Sequence, residues 1–470
     1  MAATADSPGS PDPGGRPVSA ANKSGEHPVE TRGAITHSRA RLATAAVAAC
    51  ALGVFTNGPV LMFSKRVLDR TGRWEDHAVW PFLAAAALAG AALALRRSLR
   101  RASSPRDRGE VAAVAAVACF ASLSVLSALW SVDASATVWR SLIYVGMALL
   151  AWALADLDHA ETAAVIAAVA AAAVVASLVL VWLRPGAGID ANGAWRGVYT
   201  NRNSLGPLAA IGVLAGIRYV LAATRWQRVA GAVLAVASTV AMVGAGSRTA
   251  WIALAVAVSA ATLVWLHQRL VARWSASTGV AVTATAVVVA VAAAAAAIAA
   301  LWNVETFSQR REMWGLVWDR IVQRPIAGHG FFTFWDIEEL TQHVLLRRGS
   351  AHNSLVEVAL GLGLLGAVPF CVIVFLAARN AVAALRSRPG PDTWMGAALV
   401  ALLIVENLTE SFILWFSYSW VLLMAASLRP VPPDAPSVER LPPDARPPEP
   451  APPVEPRAAE AAQAAPGPLR

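Results

Sequence analysis

His352 and Asn353 close a long polar stretch, 303–351, that interrupts two strongly apolar runs and also carries Arg310, Arg311 and Trp314. A free imidazole titrates near about pH 6.5, so it can take a proton from a hydroxyl at neutral pH. Guanidiniums grip phosphate oxygens through paired N–H groups. A base among several guanidiniums therefore suits glycosyl transfer from a lipid diphosphate, where the leaving group is already good and only the acceptor hydroxyl needs activating. A single histidine where a chain re-enters a membrane is ordinarily an interfacial hydrogen-bonder. The company gives His352 a chemical reading, and Arg202, Asn203 and Arg248 in two other polar turns add to that company.

The elements that must position these groups can be read from spacing. Within 308–323, Met313, Val317 and Ile321 recur at helical intervals with Trp314 and Trp318 beside them, which predicts an amphipathic helix. It should stop before Arg324-Pro325, and Gly328-His329-Gly330 then supplies a turn. Such a helix either lies on the outer leaflet, with Arg310, Arg311 and Arg324 at its ends near lipid headgroups, or covers the bundle as a lid.

The rest of the chain is a membrane scaffold. A hydrophobic fraction of 57% is spread over many separate apolar runs. Windows of roughly 20 residues place spans at 42–63, 79–95, 111–131, 138–155, 162–183, 204–222, 229–245, 250–266, 279–302, 355–377, 394–410 and 412–427. This is an all-α integral membrane protein of about twelve transmembrane helices. The net charge of +9 sits in short loops between spans, which reads as topology and argues against nucleic acid. With the arginine-rich 96–108 loop in the cytoplasm, both termini are cytoplasmic and the 303–351 loop faces outward from the plasma membrane. Residues 1–38 and 429–470 are polar, Pro- and Ala-rich tails expected to be disordered, and 39–428 is the membrane domain. Cys50, Cys119 and Cys371 all fall in apolar runs without paired spacing, as packing residues do.

Four stretches carry a resemblance to the O-antigen ligase and O-antigen polymerase family of bacterial membrane glycosyltransferases. They are Leu126-Ser-Ala-Leu-Trp-Ser-Val-Asp133; Gly197-Val-Tyr-Thr-Asn-Arg-Asn-Ser-Leu-Gly206; Gly246-Ser-Arg-Thr-Ala250; and the run from Arg311 through Trp314, Pro325, Gly328 and Gly330 to His352-Asn353. The resemblance implies a GT-C-like fold, a polyprenyl-diphosphate-linked glycan as donor, a glycan or lipid-linked acceptor, and no metal or nucleotide cofactor. It implies His352 as the base, with Arg202, Arg248 and Arg311 holding the diphosphate; Arg310 joins them by position, with Asn353, Asn203 and Trp314 in support. The glutamate that the family carries nine residues after the histidine is replaced here by Gly361, and Glu357 stands about one helical turn early.

The residues agree about cofactors. Asp133, Asp190, Asp319 and Asp336 are scattered rather than paired at metal-ligand spacing, and no Walker-type Gly-rich lysine loop occurs. Glu406 and Glu410 are intramembrane acids, which points to function or to helix-to-helix hydrogen bonding. Two other classes stay open. A transporter or flippase for lipid-linked glycans would show paired broken helices or inverted repeats with charge at mid-membrane. A non-enzymatic assembly partner would depend on its polar tails.

Overall fold

The computed structural model describes residues 28–56, 80–101, 108–222, 224–273, 305–336, 349–415 and 417–430. Its helices, in chain order, are α1 (Pro28–Val54), α2 (Trp80–Arg101), α3 (Arg108–Leu126), α4 (Ala134–Leu154), α5 (His159–Leu183), α6 (Arg202–Val220), α7 (Arg225–Ala245), α8 (Arg248–Arg273), α9 (Glu305–Gln323), α10 (Ser354–Ser387), α11 (Pro391–Thr409) and α12 (Tyr418–Ser427). Polar residues at the starts explain several boundaries. Asp133, Asn201, Thr224 and Asn353 each accept a backbone N–H from the first turn that follows, and Asp158 and Glu161 form a reciprocal capping box on α5.

Eight of the described helices are long and apolar enough to cross a membrane, so the chain is a multi-pass, all-α membrane protein. Three elements differ in bounds or length from what spacing suggests. The stretch 412–427 is not one span but a short 3-10 helix, Phe412–Trp415, followed by the ten residues of α12. Ten residues rise only about 15 Å, half the hydrocarbon thickness. The 204–222 span is α6, a helix carrying Arg202, Pro207 and Arg218 that falls outside the eight and is buried along Leu205–Gly212 by its neighbours. Helix α1 begins at Pro28, inside the segment read as a tail. The candidate span 279–302 and residues 1–27 and 431–470 lie outside the described residues.

The feature that positions the site is a break in α10. Gly363 has φ +60° and ψ −153°, a conformation open only to glycine, and the backbone on either side of it bonds to the loop instead of to the helix. His329 N–H donates to Leu360 O (2.8 Å) and Gly330 N–H to Gly361 O (2.9 Å), while Leu364 and Leu365 donate to Pro325 O and Ile326 O (2.9 and 3.1 Å). Irregular backbone within a membrane bundle persists only where such partners are supplied by protein.

The turn 327–333 docks on its other side against the end of α3 and the start of α4. Trp130 donates its indole N–H to Ala327 O (2.9 Å), Phe331 N–H donates to Ser127 Oγ (3.0 Å), and Ser131 Oγ bonds to both Thr333 and Thr137 (2.7 Å each). The Phe331 ring is buried between Phe120 and Tyr144. The stretch Leu126–Asp133 is therefore a receptacle for the loop. His329 is buried in the turn and faces Phe334; burial, with Arg320 and Arg324 nearby, holds its pKa below the usual imidazole value. Its neutral Nε2–H donates to Arg320 O (2.9 Å) and closes the end of α9.

Gly330 has φ +104°, and a Cβ there would stand 2.4 Å from Ser131 Oγ. Gly330→Ala should destabilise the docked turn by roughly 1–3 kcal/mol, read as a lower melting temperature in detergent and faster proteolysis within 305–350. Unchanged melting and cleavage would contradict this docking.

Candidate functional site

Four elements meet at one end of the bundle: the return of the 303–351 loop, the start of α6, the second turn of α9 and the end of α11. Their meeting point is the carboxyl of Glu410, which caps the C-terminus of α11. One oxygen, Oε2, lies 2.8 Å from His352 Nδ1. The other, Oε1, accepts from Arg310 Nη2 (2.8 Å) and from Asn203 Nδ2 (3.0 Å), and Arg310 Nη1 reaches on to Thr409 O. Burial alone pushes the Glu410 carboxyl up; the His352 hydrogen bond and the Arg310 charge outweigh it and hold the group below its ordinary 4.5.

This geometry decides what His352 can do. A carboxylate only accepts hydrogen bonds, so Nδ1 carries the hydrogen and Nε2 of the neutral ring keeps its lone pair. The His352 side chain is 23% exposed against 9% for Glu410, so the ring remains reachable from outside while its orienting partner is covered. A ring held in tautomer and direction by a buried carboxylate, with no hydrogen bond at Nε2 among the described residues, has the geometry to accept a proton there.

The backbone holds this ring under strain. His352 has φ +50°, a left-handed conformation that costs a non-glycine residue on the order of 1–3 kcal/mol. Contacts on both sides impose it. Trp314 donates its indole N–H to Ala351 O (2.7 Å), the Ala351 N–H donates to Glu357, and Asn353 N–H donates to Ser411 Oγ (3.0 Å). Glu357 also accepts from the Trp335 indole (2.8 Å) and the Ser411 hydroxyl (2.9 Å). Its place one turn before Gly361 is thus used to fasten the loop's return, while Gly361 itself lies against the backbone of the docked turn. Asn353 is the N-cap of α10, accepting from Leu355 and Val356 and donating to Leu408 O (3.0 Å).

The remaining arginines frame the same end. Arg202 opens α6 beside Asn203, which reaches Glu410. Arg248 opens α8, and Ser247 before it packs on Gly206 of α6, where a Cβ would come within 2.6 Å of Ser247 Cβ. Arg311 follows Arg310 on α9. The side chains of Arg202, Arg248 and Arg311 are all exposed. A cation in the first turn of a helix opposes the helix dipole by about 0.3–1 kcal/mol, so Arg202 and Arg248 stand where folding disfavours them and a bound anion would favour them. Of the other arginines, Arg196 is occupied with Ala187 O (2.8 Å) and reads as a loop staple. Arg347 and Arg348 lie outside the described residues.

His352, Arg310, Asn203, Asn353 and Trp314 are thus brought into one hydrogen-bonded set or its immediate support. Glu410, Glu357, Trp335 and Ser411 complete it, and spacing alone did not assign them. The signal for Glu410 was its type, an acid at the end of an apolar run. Glu406, one turn earlier on α11, is fully buried, and neither carboxyl oxygen has a hydrogen-bond partner among the described residues.

Fold and site together define a multi-pass membrane protein with a histidine, glutamate and arginine centre at one end of its bundle. Residues 233–371 match the family model described as O-antigen ligase. The match runs from α7 through His352 into α10 and stops short of Glu410, and it begins after Arg202 and Asn203. No curated protein matches the chain.

A carboxyl whose folded pKa lies below 4.5 contributes stability that is fully present above that pH and lost as pH falls through the lowered value. Glu410→Gln should therefore lower the melting temperature at neutral pH and flatten its decline below about pH 4.5. A mutant that melts as the parent does at every pH would contradict the assignment.

Proposed function

We propose that this protein is a membrane glycosyltransferase of the O-antigen ligase or polymerase kind. It transfers a glycan from a polyprenyl-diphosphate-linked donor to an acceptor hydroxyl at the outer face of the plasma membrane. In this reading the bundle is GT-C-like with about twelve spans, both termini are cytoplasmic, and the product belongs to a cell-surface polysaccharide. The observation that carries the reading is His352 held through Nδ1 by Glu410, with Nε2 unbonded among the described residues and Arg202, Arg248 and Arg311 at the same end. The match of residues 233–371 to the O-antigen ligase model supports the substrate class.

In the proposed reaction Nε2 of His352 takes the acceptor's hydroxyl proton as that oxygen bonds to the anomeric carbon of the donor sugar. The bond from that carbon to the diphosphate oxygen breaks, and the polyprenyl diphosphate leaves with the bonding electrons. Glu410 stabilises the imidazolium that forms. Arg202, Arg248 and Arg311 hold the diphosphate and offset its developing charge. Arg310, with both terminal nitrogens on Glu410 and Thr409, acts by fixing the carboxylate.

A transporter would share the break in α10. Transporters use paired breaks whose freed backbone groups line a cavity for ions or substrate. Here those groups are occupied by residues 325–330, which favours a rigid scaffold.

His352→Ala, reconstituted with a defined polyprenyl-diphosphate-linked glycan and acceptor, should lose about 10²–10⁴-fold in product formation at normal protein abundance. Unchanged product formation would sink the proposal. Arg248→Ala should instead weaken use of the donor by about 10–100-fold, the worth of one charged hydrogen bond of ~1.5–3 kcal/mol, seen chiefly in donor KM. An effect confined to acceptor KM would move Arg248 out of the diphosphate site.

A further inference from the structure

Helix α9 is apolar on two faces. Met313 and Val317 are buried against Phe334 and Leu360, as an amphipathic helix on a bundle requires. A second apolar line runs along its free side, where Trp318, Val322 and Ile326 are 63%, 58% and 63% exposed. Trp318 and Val322 are four apart and share one line of α9, which Gly315 and Arg311 extend toward the start of the helix, and Ile326 follows them in the turn after the helix ends at Gln323. A lid facing water has no use for such a line.

The line continues into a surface that already belongs to a membrane span. Ile326 O accepts from Leu365 N–H and Pro325 O from Leu364 N–H, and Leu364, Leu365 and Val368 are exposed on α10. Leu129 and Val132, also exposed, flank Trp130, whose indole holds Ala327. A hydrocarbon core takes roughly 20 helical residues. Counted back from Arg379, the first cation toward the far end of α10, the core begins near Leu360. Ile326 and its α10 partners thus fall at the hydrocarbon boundary. Arg324 is exposed next to Ile326 and Arg320 is half-buried one turn earlier, a place where guanidiniums meet lipid phosphates.

We propose that the Trp318, Val322 and Ile326 face, continuous with Leu364, Leu365 and Val368, is immersed in the acyl chains of the membrane leaflet on the site's side. Arg320 and Arg324 lie at its headgroups. Residues 318–330 then form an interfacial element that dips into the bilayer and is clamped in the break of α10. His352, just ahead of the first turn of α10 and eight residues before Leu360, stands on the order of 10 Å outside the hydrocarbon, at or just beyond the headgroups. Arg311 marks the water end of the same line. If the proposed transfer reaction holds, a lipid-linked donor need not leave the leaflet to bring its diphosphate to the site.

The test reads immersion and not transfer, so it stands or falls separately from the proposed function. Cys50, Cys119 and Cys371 are replaced by Ser, and single cysteines carrying a nitroxide are placed at Trp318, Val322 and Ile326, with Glu312, Asp319 and Gln323 as the polar-side reference. The full chain is reconstituted in phosphatidylethanolamine and phosphatidylglycerol vesicles. Oxygen should relax the first three labels several-fold more effectively than a water-soluble nickel chelate does, with the reverse at the reference positions. Labels at 318, 322 and 326 as open to nickel as the references would overturn the proposal. Labels closed to both reagents would overturn it too, by showing a protein cover. The unsubstituted protein in vesicles with a diazirine-bearing acyl chain provides a second reading. Photolabel should map to 318–326, and its absence there, with α10 labelled, counts against immersion.

Discussion

The Glu410 carboxylate is the interaction on which the site depends. It lies at the C-terminal end of α11, where the helix dipole already carries negative charge, so an anion there is doubly disfavoured unless cations meet it. Arg310, Asn203 and His352 meet it from three other parts of the chain. Breaking a buried set of this kind by removing one member leaves an uncompensated charge, with a penalty of about 3–5 kcal/mol. The carboxylate thereby holds the loop, α6 and α9 to one point and sets the tautomer of the histidine in the same act. The proposed chemical role of this residue rests on the same contacts as its structural one.

A second constraint makes that convergence possible. The turn after α9 docks in the bundle and the chain enters α10 through Ala351, and both places need fixed backbone to deliver His352 in a strained conformation. The break at Gly363 supplies two donors and two acceptors for 325–330, and Ser127, Trp130 and Ser131 hold the other side of the same turn. Trp314 and Glu357 then grip Ala351 from opposite sides of its peptide. The strain at His352 is carried by neighbours that are themselves fully bonded, as pre-organised sites require.

Much of this was legible in the residues. Apolar runs marked most spans to within a few residues, and the spacing of Met313, Val317 and Ile321 located α9 with its end at Gln323. His352, Arg310, Asn203 and Trp314 were picked out by type and position, and they do meet. The pairing with Glu410 was not legible, because 58 residues separate the partners and no periodicity encodes a contact between a loop's return and the end of a later helix. The break in α10 was hidden for a different reason. Gly361, Gly363 and Gly366 all lie inside one apolar run, and only the backbone at Gly363 and the loop's hydrogen bonds reveal that the helix is interrupted there. The 412–427 run misled because composition alone does not show a short 3-10 helix over Phe412–Trp415 and a new helix capped by Ser417.

The central claim is that Glu410 fixes His352 with hydrogen on Nδ1 and a free lone pair on Nε2. Nitrogen-15 NMR of histidine-labelled protein in bilayers, with the His352 signal assigned by its loss in His352→Asn, reads that tautomer directly at neutral pH. The account predicts hydrogen on Nδ1 with the lone pair on Nε2 in the parent and a loss of that preference in Glu410→Gln. A ring protonated at Nε2 in the parent, or a tautomer indifferent to Glu410, would contradict it.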